Sequence, residues 1–127
     1  MNIIISAASA KPMYEQIEEG IKKAILDGEF KHSDMLPSVR QLAKDLNVSA
    51  ITTKRAYIDL EYEGFVYTIA GKGTFVKTDK LAEIQDVRRT KMLEEYQKIT
   101  EESMKMGVDK ETLEEIIERV YGGNEHE

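Results

Sequence analysis

Apolar residues recur at spacings of three and four along most of the chain, and the breaks in that pattern divide it into helical stretches and one stretch of another period. Tyr14, Ile17, Ile21, Ala24 and Ile25 make one stripe of an amphipathic helix that opens near Pro12, whose missing N–H costs nothing in a first turn, and stops at Gly28. A polar loop leads to Leu36-Pro37, where the X–Pro step biases Leu36 toward extended geometry. Ser38 suits an N-cap with Gln41 at the capping-box position, and Val39, Leu42, Ala43 and Leu46 supply the inner face of a second helix. Asn47 suits the left-handed residue that ends it. Val48 returns to the core and Ser49 can cap a third helix. Its inner face is Thr53, Ala56, Tyr57 and Leu60, and its end is Gly64.

The period then changes. Phe65-Val66-Tyr67 and Thr74-Phe75-Val76 are rich in β-formers and flank a glycine-rich tip, which predicts a hairpin. Two helical segments finish the chain. From Leu81 to Met106 the apolar positions Leu81, Ile84, Met92, Tyr96, Ile99 and Met106 keep mostly helical spacing, with Arg88 interrupting. Gly107 breaks that helix and Asp109 can cap the next, where Leu113, Ile116, Ile117 and Val120 stand at i, i+3, i+4 and i+7. The Gly122-Gly123 end is expected to fray, and residues 2–5, "NIII", read as a short strand or edge segment. No internal repeat or low-complexity linker interrupts these elements.

Composition narrows the function classes. At 127 residues, 41% apolar and 33% charged, the chain can hold one domain with a core plus an appendage. No apolar run approaches a membrane span, and "MNIIISAASAK" has no basic region ahead of its apolar run, so neither a membrane segment nor a signal peptide is expected and the cytoplasm is the simplest compartment. Without cysteine, and with only His32 and His126 as imidazoles, no metal site, no cofactor and no nucleophilic centre is expected. The paired glutamates at 94–95, 101–102 and 114–115 read as charged helix faces rather than acid–base pairs.

The formal charge of −6 is unevenly placed. Residues 1–78 carry ten Lys/Arg and ten Asp/Glu, whereas residues 79–127 carry eight and fourteen. The acidity belongs to the last third, and the first part is neutral.

Helix, turn, helix and hairpin in that order is a winged helix-turn-helix. The major groove admits one helix, whose N-terminal residues meet base edges while the preceding helix braces it. On that geometry Ala50, Ile51, Thr52 and Lys54 face the groove, Arg55 lies near a strand, and Arg40 reaches a phosphate or a base edge. Amides near Ser38 and Ser49 can receive phosphates. At the wing, Gly71 and Gly73 admit close backbone approach and Lys72 supplies charge. Lys11, just ahead of the first helix, completes the expected contact set. Each part alone has a plainer explanation, since helix pairs and hairpins are usually packing and surface cations usually solvated. "GKGT" is not a phosphate loop, because Val66 stands where the first glycine is needed and Gly73 where Ser or Thr is. The order of the parts carries the argument.

The stretch "LPSVRQLAKDLNVSAITTKRAYIDLEYEGFVYTIAGKGTFV" strongly resembles the DNA-binding domain of GntR-family bacterial transcription regulators. "LPSVRQLA", "RAYIDLEYEGF" and "GKGTFV" are its marks, "PMYEQI" matches the family's first helix, and the likeness runs from about residue 12 to residue 77. The resemblance places DNA contacts on Arg40, on Ala50 to Thr52, on Lys54 and on Gly71. Many relatives carry a polar residue or Arg near positions 50–51, so Ala50 and Ile51 leave fewer base-edge hydrogen bonds and suit a thymine methyl instead.

Only 49 residues follow position 78, too few for the large effector domain most of the family append. A short two-helix tail resembles the YtrA-like branch, where such tails are similar to dimerisation segments. Two amphipathic helices without a core of their own must bury their stripes, either in a symmetric partner or back on their own domain. The expectation is therefore a mainly α chain, with a winged helix-turn-helix over residues 10–78 and a helical dimerisation segment over residues 79–127. The dimer contacts would be Leu81, Ile84, Met92, Tyr96, Ile99, Leu113, Ile116, Ile117 and Val120. The expected function is sequence-specific regulation of transcription, as a homodimeric repressor on an inverted-repeat double-stranded DNA operator. A small-molecule effector is left open, and the alternative is a winged-helix module that binds an acidic protein partner.

Overall fold

The computed structural model describes residues 1–125; His126 lies outside the described residues. The chain divides into two compact units, Met1–Gln85 and Asp86–Glu127.

The first unit is built on three helices and a hairpin. Helix α1 spans Met13–Leu26 and buries Ile17, Ile21, Ala24 and Ile25, as the spacing predicts. Helix α2 spans Val39–Leu46 and starts on Ser38, whose side chain accepts the Gln41 N–H. The capping box is only half formed, because the Gln41 amide turns to Asp45 Oδ1 at 2.7 Å. Asn47 closes α2 in the left-handed region at φ 55°. Helix α3 spans Ala50–Tyr62, is capped by Ser49 through the Thr52 N–H, and buries Thr53, Ala56, Tyr57 and Leu60.

Strands β1, Val66–Ile69, and β2, Gly73–Val76, pair antiparallel with Tyr67 opposite Phe75. The tip turns where the Lys72 N–H donates to the Ile69 carbonyl at 3.0 Å, with Gly71 at φ +77° in a position that would strain a side chain. The outer edge of β2 is occupied by the loop ahead of α2. Leu36 N–H donates to the Thr74 carbonyl at 2.9 Å and Val76 N–H to that of Asp34 at 2.8 Å. The wing is thereby tied to the start of α2.

Residues 2–5 do not form the expected strand, since the sheet consists of β1 and β2. Their alternation is nonetheless real: Ile3 and Ile5 pack on the core, while Ile4 between them is 83% exposed. Side chains rather than ladder bonds hold the segment. Ile3 fills the space over Gly20, where an added Cβ would stand 2.8 Å from Ile3 Cγ1. Gln16 anchors the backbone, accepting the Ser6 N–H and donating to the Ser6 and Lys11 carbonyls.

Helix α4 spans Leu81–Lys105. Leu81 and Ile84, expected at a dimer interface, instead pack on the core of the first unit, with Ile84 beside Gly64. The first unit therefore extends past residue 78, because the core beneath the hairpin needs this helical turn as cover. Helix α5, Lys110–Glu125, belongs to the second unit. Asp109 caps it through the Thr112 N–H at 2.9 Å, as expected. The helix runs through Gly122 and Gly123 rather than fraying there. Glycine costs only about 1 kcal/mol per helical position, which lowers stability without forbidding helix. No helix among the described residues is long and apolar enough to cross a membrane.

Candidate nucleic-acid interface

The inner face of α3 is sealed, so its opposite face determines what the helix can do. Ile51 stands on that face at 82% exposure, with Ala50 and Lys54 also exposed. The hydroxyls around them are used locally. Ser49 Oγ donates to Thr52 Oγ1 at 2.7 Å and accepts the Thr52 N–H at 3.1 Å. The Thr53 hydroxyl donates to the Ser49 carbonyl at 3.3 Å within the core. These bonds tie the first turn to its cap and leave the aliphatic Ile51 tip beside the Lys54 cation.

Arg55 behaves differently from Lys54. Its guanidinium carbon lies 3.8 Å from the centroid of the Tyr14 ring on α1, and its Nε is 3.8 Å from Asp59 Oδ2. The side chain thus clasps α1 to α3 through a cation–π contact instead of standing free like Lys54. Lys11 also has an internal partner, Glu19 at 2.8 Å, which raises the lysine's pKa. Both members are more than half exposed, so the pair contributes little.

Arg40 is exposed in the first turn of α2, and Lys72 is exposed at the wing tip beside Gly71. The Ser38 and Ser49 side chains each take the third amide of their helices. The amides ahead of those, from residues 39–40 and 50–51, are left for water or an anion, because a helix cannot satisfy them internally.

The seam behind α3 holds a group that the sequence pattern conceals. Glu18 on α1 is only 8% exposed, and its Oε1 is buried without a hydrogen-bond partner. Burial, followed by a hydrogen bond to the Asp59 carboxylate and that group's charge, pushes its pKa up to about 8. Glu18 is therefore a neutral acid at neutral pH. Lys22, paired with Glu63 across the same seam, opposes the shift only partly. Glu18 follows Ile17 in the chain, so helical periodicity assigns it to the edge of the stripe. Its proximity to Ile17 and Ile21 was the available signal.

Residues 13–76 match the family described as bacterial regulatory proteins, gntR family. The chain belongs to the GntR family. It is 33% identical over 118 residues to the HTH-type transcriptional repressor YtrA of Bacillus subtilis, covering 93% of this chain and 91% of that one. It is also similar to the solved structure of YtrA from Sulfolobus acidocaldarius, a GntR-family transcription factor, at 35% identity and a TM-score of 0.59, over 72% of this chain and 96% of that one. The likeness to YtrA along almost the whole length places the chain in the YtrA-like branch of the GntR family. A third similar structure is the DNA-binding domain of AraR in complex with operator ORE1, at 29% identity and a TM-score of 0.52, over 60% of this chain and 93% of that one. The GntR family consists of regulators, not enzymes.

In the second unit the expected contact residues Met92, Tyr96, Ile99, Ile116, Ile117 and Val120 are exposed, and Leu113 is half-buried. Leu93, Met104 and Tyr121 are exposed as well. Sequence reasoning passed over these three because they lie beside the main stripes rather than on them.

Proposed function

We propose that the chain is a DNA-binding transcription regulator that represses from an inverted-repeat operator as a homodimer. The observation that carries this reading is the exposed first turn of α3, where Ala50, Ile51 and Lys54 project from a helix fixed by its Ser49 cap and by Tyr57. Lys54, Arg40 and Lys72 would meet phosphates or base edges, and the free amides of α2 and α3 would receive phosphates. Arg55 and Lys11 are better read as supports. The operator held by the AraR domain and the repressor role in YtrA's name favour the same reading.

The dimer would form through the second unit. Its helices expose an unusual density of apolar side chains, which a symmetric partner would bury. Met92, Tyr96 and Ile99 on α4 and Leu113, Ile116, Ile117 and Val120 on α5 would be the contacts, without Leu81 and Ile84. The cytoplasm is where such a regulator would act. Fluorescence anisotropy on a selected operator tests the binding claim. Log affinity should fall linearly with log salt, with Lys54→Ala lowering the slope by about one. A protein-interaction module would bind duplex DNA at no salt concentration.

A further inference from the structure

We infer that Ile51 determines operator specificity by packing against the C5 methyl of a thymine in the major groove. The inference rests on the proposed DNA reading and adds the base that the recognition helix selects. Within residues 50–55 several of the polar groups that could read a base edge are drawn into internal contacts. Thr52 Oγ1 accepts from Ser49 Oγ and keeps only its own proton to donate, the Thr53 hydroxyl donates to the Ser49 carbonyl inside the core, and the Arg55 guanidinium stacks on Tyr14 beside Asp59. Ala50 and Ile51 have no polar side-chain atoms, so hydrogen-bonded readout from this turn falls to Lys54 and the remaining Thr52 hydroxyl proton.

What remains is one large aliphatic side chain, 82% exposed, on the outward face of the helix. The edges of the four bases in the major groove are donors and acceptors with a single apolar exception, the thymine methyl. Against any other base edge Ile51 would desolvate polar atoms without replacing their hydrogen bonds, which is unfavourable. Only thymine offers it a methyl group. Because Ile51 takes no part in the core, its identity can be varied without disturbing the helix that carries it.

Selection of duplexes from a random pool by the purified full chain, at one stated salt concentration, supplies the preferred half-site. Each thymine in it is then replaced by deoxyuridine, which removes the methyl and nothing else. At one position the wild-type chain should lose about fourfold in affinity, the worth of one buried methyl group. Ile51→Ala should bind the thymine and uracil duplexes alike at that position, and Ile51→Val should keep most of the difference. Tolerance of uracil at every position, or an undiminished loss in Ile51→Ala, overturns the inference while a preferred sequence leaves the proposed function standing. A pool that yields no preferred sequence overturns both.

Discussion

The Tyr57 hydroxyl donates to the Pro37 carbonyl oxygen at 2.7 Å, joining the middle of α3 to the residue just before the α2 cap. Tyr57 is buried, which pushes its phenol well above the usual range and keeps it a donor. One bond thereby fixes where α2 begins relative to the helix that would read DNA. Tyr57→Phe should cost about 1–2 kcal/mol, since it strands a carbonyl without removing volume. Urea unfolding measures this, and an unchanged midpoint would show that water satisfies Pro37 equally well.

Lys54→Ala and Arg55→Ala should separate contact from support. The first should weaken operator binding and lower the salt slope by about one, leaving unfolding unchanged. The second should lower stability through the lost Tyr14 stack, by about 0.5–1 kcal/mol, and leave the slope alone. Paired anisotropy and urea titrations check both, and a lower slope for Arg55→Ala would return that residue to the contact set.

Glu18 makes stability depend on pH. Its folded pKa of about 8 lies above the ordinary carboxylate value, so the folded state holds a proton that the unfolded chain releases. The stabilising contribution is complete below the unfolded pKa and is lost as pH rises through about 8, where a second carboxylate appears beside Asp59. The urea midpoint should therefore fall between pH 5 and pH 9. Glu18→Gln, which can donate to Asp59 at any pH, should flatten that decline. An equal slope in both proteins would mean that Glu18 is ionised throughout.

Gly20 tests how the N-terminal segment is held. Alanine favours helix over glycine by about 1 kcal/mol, but its Cβ would collide with Ile3. Gly20→Ala should therefore destabilise the wild-type chain and stabilise an Ile3→Ala background. Thermal melts of the four proteins measure the coupling. Additive effects would mean that Ile3 does not rest on α1.

Local chemistry made much of the winged unit legible. The Ser38 and Ser49 caps, the left-handed Asn47, the helix stripes and the hairpin each depend on residues close in sequence. What escaped depends on partners that periodicity cannot name. Leu81 and Ile84 look the same on a helical wheel whether they face a dimer or their own core. Arg55 looks like any exposed cation until Tyr14, forty-one residues earlier, is brought beneath it. Glu18 carries a group normally excluded from cores, and its burial rests on the hydrogen bond it shares with Asp59. In the candidate interface, the residue types were legible, but the withdrawal of the Thr53 hydroxyl into the core was not.

The unit boundary predicts how the chain can be cut. A protein ending at Gln85 keeps Leu81 and Ile84 on the core, so it should fold, sediment as a monomer and bind a full operator far more weakly than the full chain. Sedimentation velocity decides it. A truncated protein that remains a dimer would place the interface in the winged unit.

Genome-wide footprinting with the purified full chain, at a series of fixed salt concentrations, decides whether the chain recognises specific operators. A homodimeric operator-binding regulator should give discrete protected sites built from two inverted half-sites, about one helical turn (roughly 10 bp) or a multiple apart, with protection that weakens as salt rises. Protection absent at every site, or spread evenly without sequence preference, would contradict specific recognition.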